Sequence, residues 1–421
     1  MIKNMTSKER VQTAFAHKQP DKTAIDFGGN DCSSINAKIV GKLREYYGLK
    51  KEPVKIMDLN TMAGILEPDL QKILMTDVQF LIPERDIFGH NIRSWKEWNY
   101  LGIDVLIPRN CQIKEDGNGG HYVFPCGDTS SKPSGLMPKG GFYFDTLSRS
   151  LPFDEDNANP LNDVEEWQVI SDEDIIYYKG LIEGYKEDGR ALLFFPRSTA
   201  LGDAVNIPGP SLKKPKGIRD VSEWYMAPLL YPEYVHKVFE MQVDRSIQTF
   251  EKSFKAFGND IDIVFICGTD FGTQRGPLIS NDIFKDFYLT PYKKMNDWIH
   301  QHTNWKTLKH CCGGIIPLIP LLIESGFDAL NPVQCSAAGM DPQRLKDEYG
   351  RDILFWGGGV DTQQTLPFGT PDEVREEVKR RCEIFSKDGG FIFNTISIIQ
   401  PNVPVENIDA MLETLREYNA V

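Results

Sequence analysis

Residues 305–333 read WKTLKHCCGGIIPLIPLLIESGFDALNPV, an apolar β-type run, a helical stretch and a second β-type run in quick succession. The rhythm continues in DILFWGG (352–358) and GFIFNTI (390–396). Upstream it is matched by TAIDF (23–27), DVQFLIP (77–83), ALLFFP (191–196) and DIVFICG (262–268). These eight runs are mostly continuous in apolar character, the pattern of buried parallel strands, whereas half-exposed antiparallel strands alternate. Strands alternating with helices imply a parallel sheet. The expected fold is therefore α/β, a (β/α)8 TIM-type barrel. An open doubly wound sheet is the competitor, but no G-x-G-x-x-G follows any strand to support it.

Helix signals sit between the runs. Thr370-Pro371-Asp372-Glu373 predicts a capping box opening the helix EVREEVKRRCEIF. The segment 281–302 is amphipathic, with Pro291 expected to kink or divide it. TSKERVQTAFAHK, at the start, reads as a helix packed outside the barrel. Residues 84–175 break the rhythm, being rich in Gly, Pro, Asn and Asp, with hairpin signals at Asp116-Gly117-Asn118-Gly119 and Lys139-Gly140-Gly141. They are expected to form an inserted antiparallel lobe within a single barrel domain spanning 1–421.

The chain has 421 residues, with 47 basic against 60 acidic side chains and a net charge of −13. This balance argues against nucleic acid as a partner, since phosphate contacts require a basic footprint. No run of 18 apolar residues exists to span a membrane, and the start is not a secretory signal. Eight cysteines in so long a chain are not a disulfide scaffold. The expectation is a cytoplasmic enzyme with reduced thiols, so clustered cysteines become candidates for chemistry.

In a parallel barrel the functional groups gather where strands end. The fourth run ends in Asp270 through Gln274, the fifth in His310-Cys311-Cys312, the sixth in Asn331 through Cys335 and the seventh in Asp361. The eighth ends near Ser397. His310 and Cys312, two apart on an extended backbone, point to the same side. An imidazole nitrogen and a thiolate suit zinc, and Cys335, one strand over, is the candidate third ligand. Three ligands with an open position would make a catalytic site rather than a structural one. The plainer alternative is that these cysteines are small core hydrophobes. Asp270 and Asp361 are the candidate catalytic carboxylates, with turn-capping as their plainer role. Arg197, after the third strand, could clamp a carboxylate. Gln274, Asn331, Gln334 and Ser397 complete the expected substrate-binding set.

The chain resembles the superfamily of uroporphyrinogen decarboxylase and the methylcobalamin:coenzyme M methyltransferases. The resemblance rests on TSKERVQTAFAHKQPDKTAIDFG (6–28), TDFGTQRGPLIS (269–280), LKHCCG (308–313), LIESGFDALNPVQ (322–334), WGGGVDTQQTLPFGTPDEVREEV (356–378) and QPNVPVENIDAM (400–411). It implies a (β/α)8 barrel with its site at the C-terminal rim. The decarboxylase branch carries an arginine-rich motif near the N-terminus, and DFGGNDCSSIN (26–36) has no arginine there. The methyltransferase branch holds zinc through His-x-Cys after strand five and a third ligand after strand eight. His310 and Cys312 match the pair, while the third position falls on Ser397, a poor ligand: either Cys335 replaces it, or the site binds metal weakly, or it has lost the metal.

The expected function is thus corrinoid-dependent methyl transfer between a small methoxylated or thiol substrate and a separate corrinoid protein, with zinc activating the oxygen or sulfur. No histidine lies two residues after an aspartate, so the chain has no D-x-H-x-x-G cobalamin motif and its corrinoid is expected from a partner. The alternatives are a metal-independent decarboxylase of another aromatic or pyrrolic acid and a non-catalytic binding protein with a decayed site. A homodimer is compatible with the sequence. Phe142 and Tyr143 are read as lobe core, with an aryl pocket as their other role.

Overall fold

The computed structural model describes residues 4–30 and 32–420. All eight apolar runs form strands of one parallel sheet: β1 (Ala24–Ile25), β2 (Val78–Leu81), β3 (Ala191–Phe194), β4 (Ile263–Cys267), β5 (Lys306–His310), β6 (Ala329–Asn331), β7 (Leu354–Trp356) and β8 (Phe391–Phe393). Their order is β1-β8-β7-β6-β5-β4-β3-β2, so strands adjacent in sequence are adjacent in space. The seam between β1 and β2 is joined through residues just before β2. The Asp77 N–H donates to the Ile25 carbonyl (2.7 Å), and its Oδ2 accepts from the Ile25 N–H (2.9 Å). Thr76 Oγ1 accepts from Phe27 N–H at 3.2 Å. The barrel is thereby nearly closed.

Alternate residues of each strand point inward. Val78, Phe80, Leu193, Phe195, Ile263, Phe265, Leu308 and Trp356 pack with one another in the barrel interior. Helix α1 (Ser7–Phe15) is begun by a capping box of Thr6 and Glu9. Expected outside the barrel, it instead contributes Val11, Ala14 and Phe15 to that interior cluster. Phe15 meets Trp356 edge-on at 6.3 Å, and the last turn of α1 is bonded to the residue preceding β8, Gly390 N–H donating to Ala14 O. The base is plugged, and chemistry is left to the opposite rim.

The outer helices include α2 (Pro232–Phe257), α3 (Thr290–His302), α4 (Pro371–Phe385) and α5 (Val405–Tyr418). The capping box at Thr370 forms as the sequence implies, with Glu373 Oε2 accepting from Thr370 N–H at 2.7 Å. Pro291 does not break its helix. It occupies the first turn of α3, behind a π-helical turn at Phe284–Leu289. Inside a continuous helix a proline lacks the N–H for the ladder and crowds the carbonyl four residues back, and the π-helical turn directly before it is where the ladder departs from α-helical spacing. Among the described residues, no helix is long and apolar enough to cross a membrane.

The irregular region holds antiparallel strands, paired as Trp95–Tyr100 with Ile103–Pro108 and as a meander of Ile113–Glu115, His121–Val123, Gly135–Met137 and Asp145–Thr146. Ile103–Pro108 also pairs, in parallel, with Val54–Asp58, so this sheet draws a strand from the β1–β2 connection. Tyr100 hydroxyl donates to the Phe142 carbonyl (2.5 Å), and Asn60 Nδ2 donates to Phe144 O (2.9 Å). These bonds hold residues 142–144 in place.

Asp26, after β1, is fully buried, its Oδ1 accepting from Gly29 N–H (2.6 Å) and its Oδ2 from Trp356 Nε1–H (2.9 Å). Burial outweighs these donors and raises its carboxyl to about 6. A carboxyl raised in the folded state binds its proton more readily there than in the unfolded chain. Its stabilising contribution is full below the ordinary carboxylate range and is lost as pH rises through about 6. Asp26→Asn is expected to remove roughly 1 kcal/mol of the fall in stability between about pH 5 and about pH 7. Urea melts at both pH values measure it, and an unchanged slope would contradict the assignment.

Candidate functional site

The site begins at the end of β5. His310 and Cys312 lie on the same side of the extended chain, and His310 Nε2 is 3.4 Å from Cys312 Sγ. From the end of β4, Asp270 Oδ1 accepts from Cys312 N–H at 2.6 Å and lies 3.9 Å from His310 Nε2. One donor atom from each of Asp270, His310 and Cys312 lies within 4.8 Å of the others. The loop after Cys312 is held by close backbone contact. Gly313 has φ +89°, and a Cβ there would stand 2.3 Å from the Gly272 carbonyl carbon. Only glycine fits such a crossing.

The histidine tautomer follows from its neighbours. Asn331 Nδ2 donates to Trp356 O (2.9 Å), which turns Asn331 Oδ1 toward His310 Nδ1 at 2.6 Å. Nδ1 therefore carries the proton, and the Nε2 lone pair faces Cys312 and Asp270. Asn331, expected to bind substrate, instead orients the imidazole from behind. Asn331→Leu is expected to weaken metal binding at His310 by about 10- to 100-fold, as losing such support does elsewhere. A zinc titration against a competing chelator measures this, and equal affinity would remove the role.

Burial, with the Asp270 charge beside it, pushes the Cys312 thiol well above its usual range. A thiolate at this position therefore needs a cation. Tetrahedral zinc, with bonds of about 2.0–2.1 Å to nitrogen and about 2.3 Å to sulfur, sets its donors roughly 3.5 Å apart. The observed N···S and N···O distances of 3.4 and 3.9 Å fit that set.

The other expected residues divide. Gln274, Gln334 and Ser397 line one cleft of about 540 Å³ with Cys312, Phe142, Tyr143 and Phe368. Gln334 also braces the loop after Cys312, its Oε1 accepting from Gly313 N–H at 2.8 Å. Phe142 and Tyr143 thus face the cleft rather than serving as lobe core. The cleft lining also includes Gln363, Gln400 and Asn402, and among the described residues it contains no charged side chain.

Three of the expected site residues lie elsewhere or are otherwise engaged. Cys335 does not join the donor cluster, because the chain turns at Val333 (φ +59°) and carries Cys335 toward α4. There its Sγ sits 3.2 Å from where a Gly358 Cβ would lie, and burial raises its thiol to about 12, with the charges of Arg381 and Glu377 acting on it. Asp361 caps its own turn, Oδ1 accepting from the Gln363 and Gln364 N–H groups at 2.6 and 3.0 Å. Arg197 lines a separate cavity with Glu84, Asp86 and Tyr178, its Nη1 donating to Asp86 O at 2.9 Å.

The sequence reading missed Asp203. It is buried in the loop after β3, and burial together with the charge of Asp270 raises its carboxyl to about 6. Its Oδ2 would stand 2.6 Å from a Cβ on Gly268. Tyr225, also missed, donates its hydroxyl to the Asp270 carbonyl at 2.8 Å. Neither residue sits in a motif or at a strand end, so no local signal marks them.

An eight-stranded parallel barrel, plugged at its base and carrying convergent polar groups at the other rim, is the layout of (β/α)8 enzymes. Residues 212–418 match the family model of uroporphyrinogen decarboxylase (URO-D). Over that stretch, about half of its length, the chain is similar to the uroporphyrinogen decarboxylases. It is 22% identical over 197 residues to a uroporphyrinogen decarboxylase of Ruthia magnifica subsp. Calyptogena magnifica, covering 45% of this chain and 50% of that one. It is 24% identical over 195 residues to the enzyme of that name from Pseudoalteromonas translucida, covering 45% and 50%. The chain thus spans about half the length of the curated relatives it matches. A methyltransferase from Methanosarcina mazei shares the fold over 99% of both chains, with a TM-score of 0.56 and 15% identity.

Proposed function

We propose that this protein is a corrinoid-dependent methyltransferase, moving a methyl group between a small methoxylated or thiol substrate and a corrinoid on a separate protein. The observation that carries the reading is the N, S, O donor set of His310, Cys312 and Asp270, with Cys312 also lining a cleft that has no charged side chain among the described residues. Those three residues would hold zinc, with Asp270 in the place first given to Cys335. Bound zinc supplies Lewis acidity, which lowers the pKa of a thiol or polarises an ether oxygen.

The chain's own residues do the rest. Asn331 keeps Nδ1 of His310 protonated and its Nε2 available. The amides of Gln274, Gln363, Gln400 and Asn402 offer hydrogen bonds to a neutral polar substrate, and Phe142 and Tyr143 offer it apolar walls. Asp203, raised to about 6, is poised to hold or release a proton beside Asp270 near neutral pH. Phe368, in the lining of the cleft, is 73% exposed and offers an apolar contact to a docking corrinoid protein.

The decarboxylase reading is supported by the names of the relatives. It asks the cleft to grip carboxylates, and Arg197 belongs to another cavity while, among the described residues, no cationic side chain is in the cleft lining. The decayed-site reading leaned on Ser397, but three donors converge without it. The test is zinc-loaded protein with methylcobalamin or cob(I)alamin and a panel of aryl methyl ethers and thiols. Methyl transfer abolished by a chelator is the expected result. Release of carbon dioxide from an aromatic or pyrrolic acid, unaffected by chelator and without methyl transfer, would replace this reading with the decarboxylase.

A further inference from the structure

Away from the cleft, the lobe and the loop after β3 enclose a second cavity of about 720 Å³. Five cations line it: Lys132, Arg149, Lys213, Lys214 and Lys216. They stand out in a chain of net charge −13. The two carboxylates of the lining are already committed. Asp128 pairs with Lys213 at 2.8 Å and accepts from Ser130, and Asp154 accepts from the Asp156 N–H and Asn157 Nδ2. Among the described residues, Lys213 is the only one of the five in an ion pair.

Arg149 is the telling residue. Its Nη2 donates to Gly209 O at 2.5 Å, whereas its Nε and Nη1 are buried with no hydrogen-bond partner among the described residues. Burial and the neighbouring Arg219 push its guanidinium down to about 10. Arg219 shows what a structural arginine looks like in the same neighbourhood. It donates to both Glu166 carboxylate oxygens, at 2.5 and 3.0 Å, and to Lys216 O at 2.7 Å and Ile207 O at 3.2 Å. Buried donors are normally paired, so Arg149 is waiting for an acceptor from outside the chain.

We infer that this cavity is a binding site for a phosphate-class oxyanion, either a free diphosphate or the head of an organic phosphate. Arg149 supplies buried charge-assisted donors, Lys132, Lys214 and Lys216 supply screening-sensitive attraction from the rim, and Ser131 and Ser150 add hydroxyls. An oxyanion here would tie the lobe to the loop that carries Asp203, since Arg149 already bonds Gly209 of that loop. The site is independent of the methyl-transfer reading and shares no lining residue with the cleft.

Calorimetric titration of the full chain with inorganic pyrophosphate, and separately with phenyl phosphate, tests this. Saturable binding is expected, about tenfold or more weaker in Arg149→Gln, and weaker with a shallower salt dependence in the double variant Lys214→Ala/Lys216→Ala. Tighter binding of pyrophosphate marks a diphosphate as the ligand type, and tighter binding of phenyl phosphate marks an organic ester. Absence of saturable binding of both probes up to about 10 mM, or equal affinity in wild type and Arg149→Gln, would overturn the site. Lys214 and Lys216 are exposed, so the double variant keeps its fold. If Arg149→Gln does not fold, unchanged affinity in the lysine variant overturns the proposal by itself.

Discussion

Cys312→Ala is expected to lose its zinc and, with it, at least about a thousandfold in methyl-transfer rate, equivalent to about 4 kcal/mol of barrier. The argument starts from the donor set. Cys312 is the one sulfur within 4.8 Å of the Asp270 and His310 donor atoms in the cluster. Removing it leaves an imidazole and a carboxylate, a pair too few to keep zinc in a site that must also leave a position for substrate. Nothing nearby replaces it, because Gly313 is locked against Gly272 and fixes the course of the loop. Metal analysis by mass spectrometry and transfer assays on the same preparation measure both losses. A variant that retains one zinc per chain would place the metal elsewhere.

The second large effect separates Asp270 from Cys335. Asp270→Ala is expected to weaken zinc binding by about a hundredfold or more, while Cys335→Ala leaves metal stoichiometry as it was. Asp270 contributes twice: its carboxylate faces His310 Nε2, and it accepts the Cys312 N–H that sets the sulfur's position. Cys335 contributes neither, being turned toward Arg381 and Glu377. Competition against a chelator of known affinity reads the difference. The reverse pattern, with Cys335→Ala losing metal and Asp270→Ala keeping it, would restore the ligand set first inferred from the sequence.

The contrast between those residues shows what a single sequence can carry. The eight strands were legible because each is buried on both faces, so burial writes itself as an unbroken apolar run. His310 and Cys312 were legible as a pair because spacing of two on a strand is a local property. Asp270 was legible as a strand-end carboxylate, but its role depends on a distance to the neighbouring strand. Cys335 was misread for the same reason. Its height above the sheet looked right, yet the left-handed Val333 carries the chain outward, and β-branched residues give no hint of such a turn. Asn331 became a support for His310 only once Trp356 O fixed its amide. Asp203 reaches the site from an irregular loop, where periodicity has nothing to report.

The fold followed the same division between local and distant causes. The capping box at Thr370 formed as its four residues dictate. Helix α1 went to the base of the barrel instead of its flank because Val11, Ala14 and Phe15 find an apolar opening there beside Trp356. The strand Val54–Asp58 joined the lobe sheet through partners some fifty residues away (Val54 with Val105).

The most direct test of the central claim is X-ray absorption at the zinc edge on protein loaded with one equivalent of metal. The account predicts a first shell with one sulfur at about 2.3 Å and the remaining donors nitrogen or oxygen at about 2.0–2.2 Å. It predicts that the sulfur scatterer vanishes in Cys312→Ala and persists in Cys335→Ala. Two sulfurs in the shell, or no inner shell from the protein, would contradict a centre built from Asp270, His310 and Cys312.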